Sequence, residues 1–341
     1  MMQLVRRLSQ VQEPLITAAG IVYKNSDNAI IRIDYNLLVS GGVPEPAPFV
    51  LVAAANEEVI IRTKDNIITW NTDNNVRKEY PFHYTGSLQI KLLYDDSMII
   101  RNKTAAGWNL SKYNFRNSSI TWETDGAYTH LFTRNGDLLV ATHTEKKELL
   151  TCFSEAKGTS MWEVNINELG LPAGNYEIIA RGQFAGNRIY LGVTNRQTDY
   201  LLCLDAGNGR LHWLVKGAGM RFQATGQTIL CFVNREIWHI NAADGVCLHS
   251  VDLSSHIKSA DIDPYANIIF RDNKMYMAGI LDTIISEWDI QTGELLWHYR
   301  IHDPGKTGRS GVMIPAAEDV FHVFDNRMYV LDSEQTLHIF A

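Results

Sequence analysis

The chain has 341 residues, of which 45% are hydrophobic and 20% are charged, and its formal net charge is −7. This length allows a large buried core, and the acidic balance, with 31 scattered basic residues, disfavours nucleic acid as a partner. No apolar run reaches the roughly 18 residues that a membrane-spanning helix needs, and polar residues after Arg6 and Arg7 argue against an export signal. We therefore expect a cytoplasmic protein that does not associate with a membrane.

Residues 1–45 are the least regular part of the sequence. Three strands are predicted there, at 20–24, 30–35 and 37–40. Ile33 and Asp34 resemble the start of the repeat described below, but no turn glycine or tryptophan follows them. These residues are expected either to close a ring of repeats or to form a degenerate further repeat.

Residues 46–341 carry a repeat of about 43 residues, which is the length of one four-stranded blade of a β-propeller. Each copy starts at an apolar anchor residue that precedes a polar turn and a further strand. The seven anchors stand at positions 70, 113, 153, 204, 240, 288 and 331. Strand-like runs precede the anchors as well. The sequence therefore predicts an all-β fold, a single β-propeller of four-stranded blades with seven clear repeats and an eighth blade left open.

Three positions of the repeat have a physical role. One residue after the anchor, a short side chain can accept hydrogen bonds from the turn backbone, as in Asp205, Asp289 and Asp332. Five residues after the anchor, a glycine supplies the positive φ of a tight hairpin. The glycines at this position are Gly158, Gly209, Gly245 and Gly293. Nine residues after the anchor stand Trp122, Trp162, Trp213 and Trp297, and we predict that these rings wedge between neighbouring blades.

This pattern resembles the repeat of the quinoprotein-like β-propellers, whose repeat is named after pyrroloquinoline quinone. The residues that carry the resemblance are Asp205, Gly209 and Trp213, then Asp289, Gly293 and Trp297, and finally Gly158 and Trp162. The WD40 propellers are the competing family, because Trp70-Asn71 and Trp288-Asp289 resemble their Trp-Asp pair, but the chain has no Gly-His dipeptide. The resemblance implies the scaffold without the enzyme, because the vicinal cysteine pair of the quinoprotein dehydrogenases is missing. The repeat style is also similar to that of the outer-membrane assembly propeller, without its lipid-anchor cysteine.

The four cysteines show neither CxxC spacing nor a metal-ligand pattern. Cys152, Cys203, Cys231 and Cys247 each lie in an apolar, strand-like run. Free cysteine packs as a small hydrophobic residue, so we predict four buried free thiols, as suits a reducing compartment.

The longest loops are expected to mark a working surface. The spacing between anchors is 51 residues from the third to the fourth and 48 from the fifth to the sixth, which adds chain around 165–176 and 254–267. Residues 303–310 form a further glycine-rich loop. The polar and aromatic residues of these loops that we predict to contact a partner are Glu168, Tyr176, His256, Asp261, Asp263, Tyr265, Lys306 and Arg309.

Histidine pairs are the main feature of the sequence that could support metal binding or catalysis instead of partner binding. His298 and His302 follow Trp297, and His249 and His256 flank another predicted strand. Such pairs can bind a metal or serve as acid and base, but the sequence alone brings no partners together. We therefore predict no catalytic, cofactor-binding or metal-binding residue and no cofactor.

A propeller without catalytic motifs is expected to bind another protein. Its size and acidity also fit an immunity or inhibitor protein that neutralises a toxin. Two alternatives remain at this point, namely a small-molecule, metal or quinone-dependent enzyme that uses the central channel, and an exported envelope assembly scaffold.

Overall fold

The structure is a computed structural model, and it describes the chain apart from a set of short segments. The residues outside the description are 1, 18–19, 28, 35–38, 45–49, 56–57, 72–73, 75, 83–86, 94–95, 105–106, 127, 135–136, 144, 180–181, 303–312, 315–319 and 325. The chain separates into two compact units, the first formed by Met1–Phe82 with Val251–Ala341 and the second by His83–Ser250. Each unit is described by itself.

The first unit begins with nine strands. Strand β1 (Leu4–Leu8) pairs with the last strand of the chain, as described below. Two four-stranded antiparallel sheets follow, each in sequential order. Their strands are β2 (Gln12–Thr17), β3 (Gly20–Lys24), β4 (Ala29–Ile33), β5 (Val39–Pro44), β6 (Val50–Ala55), β7 (Glu58–Arg62), β8 (Asn66–Asn71) and β9 (Arg77–Pro81). The N-terminal residues therefore supply both a closing strand and a complete sheet of their own.

The second unit contains four sheets, of which three have four strands in sequential order and one has five strands, with β18 and β19 both pairing with β20. The first two consist of β10 (Ser87–Leu93), β11 (Ser97–Thr104), β12 (Gly107–Asn114), β13 (Ser119–Asp125), β14 (Tyr128–Arg134), β15 (Leu138–His143), β16 (Leu149–Ser154) and β17 (Ser160–Asn165). The next two consist of β18 (Glu177–Ile178), β19 (Gln183–Ala185), β20 (Arg188–Thr194), β21 (Asp199–Asp205), β22 (Leu211–Lys216), β23 (Phe222–Thr225), β24 (Thr228–Val233), β25 (Glu236–Asn241) and β26 (Cys247–Asp252). A 3₁₀ helix (Ile166–Glu168) lies in the predicted long loop at 165–176.

The rest of the first unit starts with a short helix that the sequence analysis missed, α1 (Ser254–Ser259). One sheet follows, and the last strands of the chain then join β1 in the order β1-β33-β32-β31. These strands are β27 (Ala266–Arg271), β28 (Lys274–Gly279), β29 (Ile284–Asp289), β30 (Leu295–Arg300), β31 (Phe321–Phe324), β32 (Arg327–Leu331) and β33 (Leu337–Phe340). The eight sheets give the fold predicted from the repeat, an all-β propeller, and the open question of an eighth blade is answered by β2–β5.

The two middle strands of a sheet carry most of its core. In β20 and β21 nearly every residue is buried, whereas the outer strand β22 is half-exposed. Side chains on both faces of the middle strands pack against apolar neighbours, so these strands have continuous hydrophobic sequences such as 201–204 rather than alternation. The outer strand has one packed face, which leaves room for charged and polar residues.

Tryptophan and glycine of the repeat interlock neighbouring sheets within the second unit. The indole N–H of Trp122 donates to the carbonyl of Glu155 at 2.7 Å, and that of Trp162 donates to Ala206 at 2.9 Å. Trp213 makes the same bond to Ala242 at 3.2 Å. The ring covers the turn glycine of the next sheet, so a Cβ at Gly158 would lie 2.4 Å from the Trp122 ring. Glycine is therefore required there twice, by its φ of +67° and by the ring above it.

The acidic residue after the anchor organises the hairpin turn. One carboxylate oxygen of Asp289 accepts the backbone N–H groups of Gln291 and Thr292, both at 2.8 Å. These bonds lower the pKa of Asp289 below its ordinary value. Asp205 binds Gly207 and Asn208 in the same way, at 2.9 and 3.1 Å. In both turns a single carboxylate oxygen accepts the backbone N–H groups, so the other oxygen is not needed for the turn.

Three of the cysteines are buried, and the prediction of a fourth buried thiol is wrong. Cys247 is exposed because β26 is the outer strand of its sheet, where the first four residues all face solvent. Burial raises the pKa of Cys203 to about 11 against a smaller opposing effect of Arg188, and burial also raises the pKa of Cys231.

We expect a thiol reagent such as Ellman's to modify one cysteine of the native protein at neutral pH and four after unfolding in guanidinium. Burial keeps the other three thiols out of reach of the reagent, whereas Cys247 is exposed, although partial burial raises its pKa and so slows its reaction as the thiolate. Counting the released chromophore checks this result. Cys247→Ser should abolish the native reaction, and a second reactive native thiol would contradict the assignment.

Candidate functional site

The long loop predicted at 165–176 forms an ordered wall in the second unit. The Asn165 side chain accepts a hydrogen bond from the N–H of Asn167 at 3.0 Å and so starts the 3₁₀ helix. The Asn167 side chain in turn accepts the N–H of Tyr176 at 2.7 Å, which ties the end of the loop back to its start. Glu168 is exposed on the helix.

A polar cleft of about 820 Å³ lies beside this wall. Its other sides come from the turn before β16 and from the turn between β20 and β21. The lining residues carry charges of both signs and side-chain amides, and they are Glu145, Lys147, Glu148, Asn167, Ala173, Gly174, Asn175, Tyr176, Glu177, Thr194, Asn195, Arg196 and Gln197. The cleft is a place where a polar ligand can be held by many hydrogen bonds.

Glu177 is the electrostatic centre of the polar cleft. The Nζ atom of Lys147 lies 3.2 Å from one of its carboxylate oxygens, and the Nε atom of Arg196 lies 3.9 Å from the other. The side chain of Arg196 is 86% exposed, so its guanidinium keeps most of its donors in water. These two cations can therefore rearrange towards a bound anion at little cost.

Tyr176 is placed differently from the sequence prediction. Its side chain is only 3% exposed and packs edge-on against Tyr200, with ring centroids 5.7 Å apart. Its hydroxyl meets the amide nitrogen of Asn195 at 3.4 Å. Tyr176 therefore supports the wall of the cleft from inside and exposes little of its surface.

The predicted loop at 254–267 belongs to the first unit and contains helix α1. His256 is exposed on α1, with its ring 6.4 Å from that of the buried Trp288. Asp261 is 93% exposed and lies 3.3 Å from the guanidinium of Arg300. Tyr265 is also exposed. The loop thus presents a histidine, a carboxylate and a tyrosine to solvent.

Asp263 is half-buried and forms hydrogen bonds within this loop and with Asp282. Its N–H donates to the Asp282 carboxylate at 2.6 Å, and its own carboxylate accepts the N–H of Tyr265 at 2.8 Å. Burial raises the pKa of Asp282, although its backbone hydrogen bonds act in the opposite direction. The remaining predicted contact residues, Lys306 and Arg309, lie outside the described residues.

A cluster that the sequence analysis did not assemble lies in the first unit. Nε2 of His338 is 2.9 Å from Oδ2 of Asp332, and Nε2 of His302 is 3.1 Å from the same oxygen. Burial raises the pKa of Asp332, but hydrogen bonds from His338, the Thr336 N–H and His302 outweigh it, so that pKa lies below its usual value. His302 and Asp332 are 30 residues apart, and no sequence pattern links them.

A second cleft of about 640 Å³ lies at the hairpin turns of the last two sheets of the second unit. The Arg188 guanidinium at its edge donates to the carbonyls of Ala242 and Ala243. His212 faces Asp205 at 3.6 Å. Because the arginine already binds main-chain oxygens, this cleft has less capacity for a charged ligand than the polar cleft.

The four-stranded sheets and their tryptophan–glycine interlocks define a β-propeller built from repeats of the pyrroloquinoline-quinone type. Residues 145–337 match the family model described as outer membrane protein assembly factor BamB. Since this match covers more than half of the residues, the chain belongs to the BamB family. None of the curated proteins compared with the chain matches it significantly. Among the described residues, no helix has both the length and the apolar character to cross a membrane.

Solved structures share the fold at low sequence identity. BamB from Moraxella catarrhalis is 9% identical, with a TM-score of 0.64, and the match covers 100% of this chain and 99% of that one. Sqt1 from Saccharomyces cerevisiae is 10% identical, with a TM-score of 0.61 and 98% of each chain covered. The dihydro-heme d1 dehydrogenase NirN, solved in complex with DHE, is 12% identical over 84% of this chain and 65% of its own, with a TM-score of 0.57. These likenesses establish the architecture, and they include both an assembly factor and an enzyme.

Proposed function

We propose that the protein is a non-enzymatic binding module for another protein and that the polar cleft is its contact surface. The observation that carries this proposal is the ordered loop 165–176, which is held by Asn165 and Asn167 as the wall of a cleft with charges of both signs. Membership of a family named for an assembly factor supports a binding role.

The chemistry of the polar cleft suits a polypeptide better than a small organic molecule. Small-molecule pockets are lined mostly by apolar and aromatic side chains, whereas this cleft is lined by charged groups and amides. The amides of Asn175, Asn195 and Gln197 can donate to carbonyls and accept N–H groups of a bound main chain. Lys147 and Arg196 can bind an acidic side chain of the partner. We therefore infer an extended, polar and partly acidic segment as the bound element.

Site-specific photo-cross-linking tests the proposal in the cells that make the protein. A photo-reactive phenylalanine analogue at Asn175, which is exposed at the cleft, should form a discrete adduct with another protein. The same analogue at Lys157, an exposed turn residue of the second unit outside the cleft, should not. Adducts at neither position, or equal adducts at both, would contradict the cleft as the contact surface.

Charge reversal gives a quantitative version of this test. We expect Lys147→Glu combined with Arg196→Glu to weaken partner binding about tenfold or more, since opposed charges across an interface add to affinity and speed association. The cross-linking yield at Asn175, titrated against partner concentration, measures the change. Lys157→Glu removes one exposed cation outside the cleft and should leave the yield unchanged, which separates the cleft from a general charge effect.

The family match also favours a second, narrower role as an envelope assembly scaffold. In that case the cross-linked partner would be an envelope component, and fractionation would find the protein outside the cytoplasm. The immunity or inhibitor role and the cytoplasmic location stay predictions. A toxin as the cross-linked partner would support the former, and a cytosolic fraction would support the latter.

A further inference from the structure

We propose that His302, Asp332 and His338 form a binding site for a divalent transition-metal ion, with Zn²⁺ as the best-suited ion. Among the residues that the structure describes, these three form a cluster whose ligand atoms all lie within 4.8 Å of one another. Two imidazoles and one carboxylate are a donor set that zinc and its neighbours in the first transition row prefer. The site lies in the first unit and is independent of the polar cleft.

The geometry of the cluster needs little change to accept an ion. Ligands about 2.1 Å from a tetrahedral zinc ion lie about 3.4 Å apart. The two Nε2 atoms are 2.9 and 3.1 Å from Oδ2 of Asp332, which is a few tenths of an ångström shorter. An ion would therefore replace two N–H protons, and each ring would move outwards slightly. A water molecule would complete the four ligands of a tetrahedral ion.

The second oxygen of Asp332 is held in a way that orients the first one. Oδ1 accepts the N–H groups of Glu334 and Thr336, both at 2.9 Å. These bonds fix the carboxylate plane and direct Oδ2 at both imidazoles. Hydrogen bonds of this kind around a ligand tune and position metal sites. Because the Asp332 side chain is fully buried, its charge has no compensation from water.

The hairpin turn does not require the two histidines. Asp289 organises the equivalent turn with one carboxylate oxygen and two backbone N–H groups, with no histidine at its other oxygen in the described contacts. His338 is 1% exposed, and within the described part of the chain its Nδ1 atom meets no hydrogen-bond partner. Two imidazoles that direct their Nε2 atoms at the same carboxylate oxygen therefore go beyond what the turn needs. Metal ligation through both Nε2 atoms would account for this convergence.

The site is reachable and joins two sheets. His302 is 24% exposed on its side chain, so an ion can enter past it, whereas His338 lies in β33 between β1 and β32. His302 follows β30 of the preceding sheet in the chain. A bound ion would therefore link the closing sheet, which contains β1, to its neighbour, and the folded state would gain stability with metal concentration.

Metal titration of the chelator-treated protein tests the site. At a Zn²⁺ concentration of a hundred times its Kd, we expect the Tm to rise by about 4 °C. Co²⁺ should give the visible d–d absorption of a tetrahedral site. His302→Gln should weaken the binding at least about 100-fold while leaving the metal-free Tm close to that of the wild type, because His302 is the most exposed ligand.

Asp332→Asn and His298→Gln complete the test. Asparagine can keep the turn acceptor but lacks the charge, so Asp332→Asn should abolish the Co²⁺ bands even where its metal-free Tm falls. His298 is an exposed imidazole of β30 outside the cluster, and His298→Gln should bind as the wild type does. No Tm shift and no bands in the wild type at millimolar metal, or equal binding by His302→Gln, would overturn the proposal.

Discussion

Gly158→Ala is expected to lower the free energy of unfolding by about 3 kcal/mol or more. The alanine would adopt a φ of +67°, which costs an L-residue about 1–2 kcal/mol. Its Cβ would also lie 2.4 Å from the Trp122 ring, so the ring must move and loses packing worth about 1–3 kcal/mol. Chemical denaturation followed by tryptophan fluorescence measures the effect.

Gly226→Ala provides the matched control for this substitution. Gly226 has a φ of +66°, and a Cβ there would meet no atom within 4 Å. Both variants therefore carry the same backbone strain, and only Gly158→Ala disturbs the ring. Gly226→Ala should cost about 1–2 kcal/mol. If the two variants lose the same stability, the contact between ring and glycine contributes nothing to the fold.

Lys112→Met is expected to cost about 3–5 kcal/mol. The Lys112 ammonium pairs with the Glu155 carboxylate, and the two side chains are 17% and 4% exposed. Removing the lysine leaves a buried carboxylate without its partner, which is more costly than the loss of the pair itself. The same Glu155 supplies the carbonyl that accepts the Trp122 indole, so its displacement would also weaken an interlock. Equilibrium unfolding measures the loss.

Two further variants isolate the buried charge as the cause. Lys147→Met breaks a pair with Glu177 in which the lysine side chain is 59% exposed, and it should cost less than about 1 kcal/mol. Lys112→Met combined with Glu155→Met removes both charges and should recover most of the lost stability. A double variant that is less stable than Lys112→Met alone would contradict this explanation.

The repeat made the fold predictable because each of its three recurring positions reflects the local geometry of a blade. A turn acceptor, a glycine with positive φ and a large ring recur in the sequence, because each blade forms the same hairpin turn and packs against a neighbouring blade. The Trp213–Ala242 hydrogen bond was beyond prediction in detail, because it joins two copies across a sheet boundary. Helix α1 was missed for a local reason, since it is only six residues long and has no side-chain cap.

The candidate sites were predictable only in part, because they depend on long-range proximity. The spacing of anchors located the loop 165–176, yet Lys147 and Arg196 reach Glu177 from two other turns. Tyrosine is a residue type that is common in contact surfaces, and only the packing of Tyr176 against Tyr200 shows that this tyrosine is internal. His302 had been considered as a ligand, but its partners come from residues 30 and 36 positions later. A single sequence does not show which residues far apart along the chain lie close together in the folded protein.

The row of tryptophan–glycine interlocks in the second unit also determines how the destabilisation of one sheet affects its neighbours. Trp122, Trp162 and Trp213 each place their ring on the following sheet, so each of the last three sheets of the unit is packed in part by the sheet before it. Such an arrangement behaves as a one-dimensional chain of coupled elements, in which stability is the sum of each element and its junctions. Loss of one junction would then lower the protection of amide hydrogens on both sides of it. In a variant that lacks one interlock, hydrogen exchange should accordingly show faster exchange of the amide hydrogens in both sheets that the interlock joins.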